Sequence, residues 1–273
     1  VYAKCDAIDG LADGLIDDPR RCDFDVRRDV PQCGKEESSC LTKAQADAFQ
    51  AIYGGVQSRG EPYFPGQPVG AELGDELGPR FHRESGWGLW YLNPTGTPLL
   101  ETFGVTFMRY MAFLQDDPEW QLEAFDFDED PYRMDRIRGI LDATDPDLSR
   151  FRDGGGKMIS YHGWSDTALN PMMTVDYYEN VLAATEATET FYKLYMVPGM
   201  WHCRGGRGVT QLDAFTAVVD WVEKGVDPGA LLGERADADG ETIWQRPICP
   251  FPQRTRYRSG DPAQPSSFDC VTE

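Results

Sequence analysis

The chain has 273 residues, enough to bury a substantial core in one large domain or two small ones. Its 46 acidic residues outnumber 26 basic ones, and the formal charge of -20 repels nucleic acid and anionic membranes, so neither is expected as a partner. An apolar content of 41% excludes a disordered or collagen-like chain, and no apolar run of about 18 residues exists to cross a bilayer.

Seven cysteines stand at 5, 22, 33, 40, 203, 249 and 270, with no CxxC pair and only three histidines, which argues against zinc. Such spacing suggests disulfides and an oxidising compartment, so the expected location is secreted or periplasmic. The odd count leaves one cysteine over. Val1-Tyr2-Ala3-Lys4 contains no start methionine, charged n-region or apolar h-region, and the expectation is an incomplete chain of an exported protein.

Residues 5–40, rich in Asp, Gly and Cys, read as a stapled loop region. A helix follows over 42–53, capped by Thr42, with Ala44, Ala48, Ala51 and Ile52 as its apolar stripe and Gly54 as its stop. Residues 54–97 are loop-rich. Further helices are expected over 98–115 and from Tyr132 to Leu141. Near residue 150 the texture changes. Gly154-Gly155-Gly156 leads into a strand at 157–161, then a loop at 162–166, a helix from Pro171 to Ala184, a strand from Phe191 to Val197 and a second loop at 198–203. A helix from Gln211 to Lys224, with Ala214, Phe215, Val218, Val219 and Val222 on one face, closes at Gly225. Strand, helix, strand, helix indicates a parallel α/β sheet. The tail from 226 is Pro-rich and carries Cys249 and Cys270.

Open parallel sheets carry their chemistry in loops at the carboxyl ends of strands. Two such loops offer Asp166 and His202, the last two members of the chain order Ser, Asp, His. His202 would take a proton from a serine hydroxyl, and Asp166 would fix the tautomer of the ring. Gly163 and Gly199 let each backbone turn sharply. The alternative is that Asp166 caps the following helix and His202 is structural. His162 and His82 fit no catalytic scheme and are given structural or surface roles. No G-x-S-x-G elbow surrounds Ser38, Ser39, Ser58, Ser85, Ser149, Ser160 or Ser165. Either the protein is no serine hydrolase, or the serine lies outside these residues.

Asp6, Asp9 and Asp13, punctuated by Gly10 and Gly14, have the spacing of a tight loop that can aim carboxylates inward, with the carbonyls of Leu11 and Leu15 completing a shell for Ca2+. Asx turns are the alternative. Trp87, Trp90, Tyr91 and Phe81 suit stacking on a flat ring, or an ordinary core. Arg80 and Arg83 are assigned to solvent rather than to a carboxylate.

Five stretches together resemble the tannase and feruloyl esterase family, including its mono(hydroxyethyl)terephthalate hydrolase-like enzymes: CDAIDGLADGLIDDP at 5–19, HGWSD at 162–166, PGMWHC at 198–203, WVEKG at 221–225 and RPICPFP at 246–252. The resemblance implies an α/β fold, the second half of an α/β-hydrolase sheet with a large inserted lid domain. Residues 1–4 would end the N-terminal hydrolase half, 5–150 form the lid with its calcium loop, and 151–273 form the C-terminal part of the core. It implies disulfides Cys5–Cys22, Cys33–Cys40 and Cys249–Cys270, with Cys203 joined to a cysteine beside the serine, outside this chain. It implies structural Ca2+ at Asp6, Asp9, Leu11, Asp13 and Leu15, and places Leu169 at the pocket mouth; Trp87 and Trp90 are the aromatic candidates for substrate contact. The implied activity is a Ser-His-Asp carboxylesterase acting on a small aromatic ester, a gallate, ferulate or terephthalate monoester. Its partner would be the N-terminal half of the same protein. The chain alone is expected to be inactive, to present an unpaired sheet edge and to fold poorly. The alternatives are a non-catalytic extracellular calcium-stabilised binding protein on the same fold, and a hydrolase of other chemistry such as a peptidase or lactonase; the His202-Cys203 pair argues against the latter.

Overall fold

A computed structural model describes residues 1–34, 39–73, 86–93, 96–202 and 204–272. The first half is built from short elements. The longest are the helices Lys43–Gly54 and Leu99–Tyr110, beside a hairpin of β1 (Val56–Ser58) and β2 (Glu61–Phe64). Thr42 closes the expected cap as a reciprocal box, Gln45 N–H donating to Thr42 Oγ1 and Thr42 N–H to Gln45 Oε1. The buried face of this helix differs from the expected stripe. Ala46 is buried and Phe49 and Tyr53 pack on Trp87, while Ala44, Ala48 and Ala51 face solvent. Two aromatic rings bury far more area than three alanine methyls, so they set the rotation. The helix Leu99–Tyr110 stops five residues short of the expected end, because the chain folds back so that Trp120 and Ala112 cover Met108. The expected helix at 132–141 is two pieces, Asp130–Arg133 and Asp135–Leu141.

Regular α/β alternation begins with β3 (Met158–Gly163), followed by the helix Pro171–Ala184 and by β4 (Tyr192–Val197), parallel to β3 in register from Met158↔Tyr192 to Gly163↔Val197. The side chains of β4 divide with period two. Tyr192, Leu194 and Met196 join a cluster with Trp164, Val175, Tyr178, Val181 and Phe251; Tyr195 and Val197 join another with Met200, Val209, Ala214, Leu231 and Ile248. A strand buried on both faces is the signature of a parallel sheet covered on each side. Each such fully buried aliphatic chain contributes about 1.5–3 kcal/mol. Beyond β4 the sheet edge is closed by Pro250 and Phe251, whose N–H donates to the Leu194 carbonyl (2.8 Å). The outer edge of β3 has no partner strand among the described residues.

The helix Ala214–Lys224 starts later than expected, after Asp213 caps it through Thr216 N–H; Gln211–Leu212 is a short strand, β5. Its face is also rotated from the expectation. Ala214 and Trp221 are buried, while Phe215 and Val222 are exposed. The strands of the tail, for which the Pro-rich composition gave no expectation, form an antiparallel sheet, β5 with β6 (Leu231–Ala236) and β7 (Thr242–Ile248), and a hairpin of β8 (Arg254–Tyr257) and β9 (Phe268–Val271). Three disulfides are formed, Cys5–Cys22, Cys33–Cys40 and Cys249–Cys270, the pairs that the resemblance implied. No helix among the described residues is long and apolar enough to cross a membrane.

Candidate active site

The register Gly163↔Val197 brings the loops after β3 and β4 out of the sheet at one level. Two bonds stitch them together: Trp164 N–H to the Val197 carbonyl (2.9 Å) and Ser165 N–H to the Met200 carbonyl (3.1 Å). Gly163 is needed for this approach, since a Cβ there would collide with the Met200 carbonyl, and Gly199 supplies a positive φ of 65° in the second loop.

Asp166 is 2% exposed, and its carboxylate is fully engaged. Oδ1 accepts from Ala168 N–H (2.8 Å) and Leu169 N–H (2.9 Å); Oδ2 accepts from His202 Nδ1 (2.8 Å) and from His162 Nε2 (3.1 Å). Burial opposes ionisation here, yet the bonds from His162, Leu169 and His202 outweigh it and hold the carboxyl below the usual range. An ionised carboxylate only accepts, so Nδ1 of His202 carries a proton, and in the neutral ring Nε2 then keeps a free lone pair. Among the described residues Nε2 has no hydrogen-bond partner, and no serine hydroxyl bonds to the ring. The imidazole is half-exposed and meets Trp90 edge-on at 5.9 Å.

Asp166 does not cap the following helix. Asn170 does, accepting from Met172 N–H (3.0 Å). His162, expected in a structural or surface role, lies against Asp166. The support beneath the loop also escapes a sequence reading. Buried Gln67 donates to the Asp166 backbone carbonyl (2.8 Å) across 99 residues and accepts from the Tyr91 hydroxyl (3.3 Å). Ser165 reaches the Gly70 carbonyl, Thr167 that of Gly86, and Asn170 that of Pro65. The segments at 65–70 and 86–91 therefore clamp the aspartate loop.

The candidate pocket residues separate. Leu169 is exposed beside Asp166, and Trp90 lies beside His202 with Phe103 stacked on it. Trp87 corrects the expectation: it is 1% exposed, its ring packed among Phe49, Tyr53 and Tyr91, and it presents no face to a ligand. Arg80, Phe81, His82, Arg83 and Cys203 lie outside the described residues.

In the acidic loop, Asp6 Oδ1 accepts from the N–H groups of Asp13 and Gly14, Asp9 Oδ1 from Leu11 N–H, and Asp13 Oδ1 from Leu15 N–H. Arg246, 2% exposed between the rings of Trp244 and Phe268, donates to Asp13 Oδ2 (2.7 Å). Among the described residues no three His, Cys, Asp or Glu side chains converge on one point as a metal would need. Yet Asp9 Oδ2 and both oxygens of Asp17 are buried without a partner. Burial, reinforced by the Asp9 carboxyl alongside, pushes the Asp17 carboxyl well up. Orphaned hard oxygens in a dry loop fit the donor chemistry of a calcium ion. Asp17 is absent from the expected set; nothing in the spacing of the first three aspartates points to it.

Residues 1–271 match the family described as tannase and feruloyl esterase. The chain is 34% identical to a mono(2-hydroxyethyl) terephthalate hydrolase of Piscinibacter sakaiensis, covering 99% of this chain and 50% of that protein. It is 26% identical to feruloyl esterase B of Aspergillus niger, covering 99% and 52%. The fold superposes on an esterase from Aspergillus oryzae with a TM-score of 0.84 and 26% identity, over 99% of this chain and 55% of the other. The chain thus spans about half the length of the curated relatives it matches. An α/β-hydrolase-like sheet, its strand-end Asp–His pair and a family match across almost every residue agree, and the chain belongs to the tannase and feruloyl esterase family.

Proposed function

We propose that the chain carries the acid and base of a Ser-His-Asp carboxylesterase that cleaves esters of aromatic acids, working with a serine borne outside these 273 residues. The observation that carries this reading is the 2.8 Å bond from His202 Nδ1 to Asp166 Oδ2 at the ends of two adjacent parallel strands. With Nδ1–H held by a buried carboxylate, Nε2 is the base. It takes the proton as a serine oxygen attacks the ester carbonyl, then returns it to the leaving alcohol. The same nitrogen deprotonates the water that releases the acid from the acyl-enzyme. Asp166 stays ionised throughout and stabilises the imidazolium.

The relatives' names, a terephthalate monoester hydrolase and feruloyl esterases, share an aromatic acyl group. Trp90 and Leu169 are the side chains beside the Asp–His pair suited to border such a ring. Asp6, Asp9 and Asp13, with the Leu11 and Leu15 carbonyls, would hold calcium as a structural ion that neutralises the loop. Three disulfides support a secreted or periplasmic setting. The unpaired edge of β3 is the place where the serine-bearing part of the sheet would join.

The test is hydrolysis of methyl ferulate, methyl gallate and mono(2-hydroxyethyl) terephthalate by the intact protein that contains this chain. Cleavage of one of them, abolished by His202→Ala, is expected. Full activity of His202→Ala, or cleavage of none, would overturn the reading.

A further inference from the structure

We propose that His162 is a positioning residue, a second imidazole that holds Asp166 through the same oxygen that His202 uses. The proposal rests on the reading of His202 as the base of the reaction and Asp166 as the carboxylate that orients it. His162 lies near the end of β3, and both its nitrogens are engaged. Nε2 is 3.1 Å from Asp166 Oδ2 and 3.2 Å from the Leu169 carbonyl; Nδ1 is 2.7 Å from Thr174 Oγ1, in the first turn of the Pro171 helix. The carboxylate and the carbonyl only accept, so Nε2 must carry the proton. In the neutral ring Nδ1 is then an acceptor, and the Thr174 hydroxyl donates to it. The relay runs Thr174 to His162 to Asp166, and meets His202 there from the opposite side.

The pair feels this second imidazole in two ways. The four donors, two on each oxygen, leave the carboxylate no freedom to rotate away from His202. The second imidazole also draws charge from Oδ2, so Asp166 attracts the proton on His202 less than a singly bonded carboxylate would. Removing His162 should therefore strengthen the bond from His202 Nδ1–H to Asp166 Oδ2. Asp166 is the ionised group facing both imidazoles, and Tyr91 stands behind it through Gln67; no Lys, Arg or Glu side chain bonds to any of the three among the described residues.

The test is ring nitrogen NMR of the intact protein carrying 15N-histidine, with the two imidazoles assigned by loss of signal in His162→Gln and His202→Ala. In the parent protein His162 should show the Nε2–H tautomer and His202 the Nδ1–H tautomer. His162→Leu should move the His202 Nδ1–H proton resonance downfield, the mark of a stronger bond to Oδ2. His162→Gln, whose amide still donates, should restore most of that shift, which a purely structural role would not. Thr174→Val, which keeps both imidazoles, covers the case in which His162→Leu fails to fold, and should move His202 in the same direction by less. An Nδ1–H tautomer at His162, or a His202 Nδ1–H resonance unmoved in every folded variant, overturns the proposal. Failure of the underlying pair looks different: the His202 Nδ1–H resonance would then be the same in Asp166→Asn and the parent.

Discussion

Asp166 and Asp17 are both buried carboxylates, 2% and 5% exposed, and the molecule treats them in opposite ways. Asp166 receives four donors, two of them imidazoles, and is held ionised. Asp17 receives none from the protein and is pushed toward its neutral form by burial and by Asp9. A carboxylate wired with donors is complete as it stands and can serve another group. One left bare in a dry loop calls for a cation or a proton. The difference separates a carboxylate whose hydrogen bonds are complete from one that has none among the described residues.

Asp166→Asn attacks the wired half hardest. An amide turned toward His202 offers a donor to the wrong tautomer, and kcat for an aromatic ester should fall about 10,000-fold in the intact protein. A fall below tenfold would break the comparison, since Asp166 would then be merely another buried acid. Arg246→Met probes the acidic loop from the other side. It strips Asp13 of a buried counter-ion, and breaking such a pair costs about 3–5 kcal/mol. Urea unfolding measures it; a loss under about 1 kcal/mol would mean another charge neutralises Asp13. Chelation by EGTA should act more gently. A cation present at a hundred times its Kd contributes about 2.7 kcal/mol, roughly 5–10 °C in Tm at this chain length. An unchanged Tm would remove calcium from the account. Asp17→Asn should narrow the gap between chelated and calcium-loaded protein, because the bare charge that the ion relieves is gone.

The wired site is more legible in the sequence than the bare one, for reasons that lie in particular residues. Asp166 and His202 sit just past short apolar strands, next to Gly163 and Gly199, so pattern alone places them on neighbouring loops. Their support is not visible there: Gln67 meets the Asp166 carbonyl from 99 residues away, and His162 looks like one more polar residue of β3. Helix rotation departs from the apolar period twice, where Phe49 with Tyr53, and Trp221, set the buried face over smaller apolar neighbours. The tail sheet is hidden because Pro247, Glu234, Arg235 and Arg246 argue locally against strands. Long-range partners take up two of those charges, with Arg246 on Asp13 and Arg235 on the Gly206 and Gly208 carbonyls. In each case the deciding contact is distant in sequence, which no local period encodes.

The smallest effect separates the two aspartates by sign. The folded pKa of Asp166 lies below its unfolded value, so its contribution to stability is present above about pH 4 and is lost as pH falls through the lower, folded value. The folded pKa of Asp17 lies above its unfolded value, so its contribution is fully present below about pH 4 and is lost as pH rises through the raised, folded value. In chelated protein the two slopes oppose each other: Tm should rise as pH is lowered through the raised value of Asp17, and fall as pH drops below about 4 toward the lowered value of Asp166. Asp17→Asn should abolish the rise and leave the fall. If chelated parent and Asp17→Asn trace the same curve, Asp17 is already relieved by some other group, and the contrast between the two loops reduces to the donors on Asp166 alone.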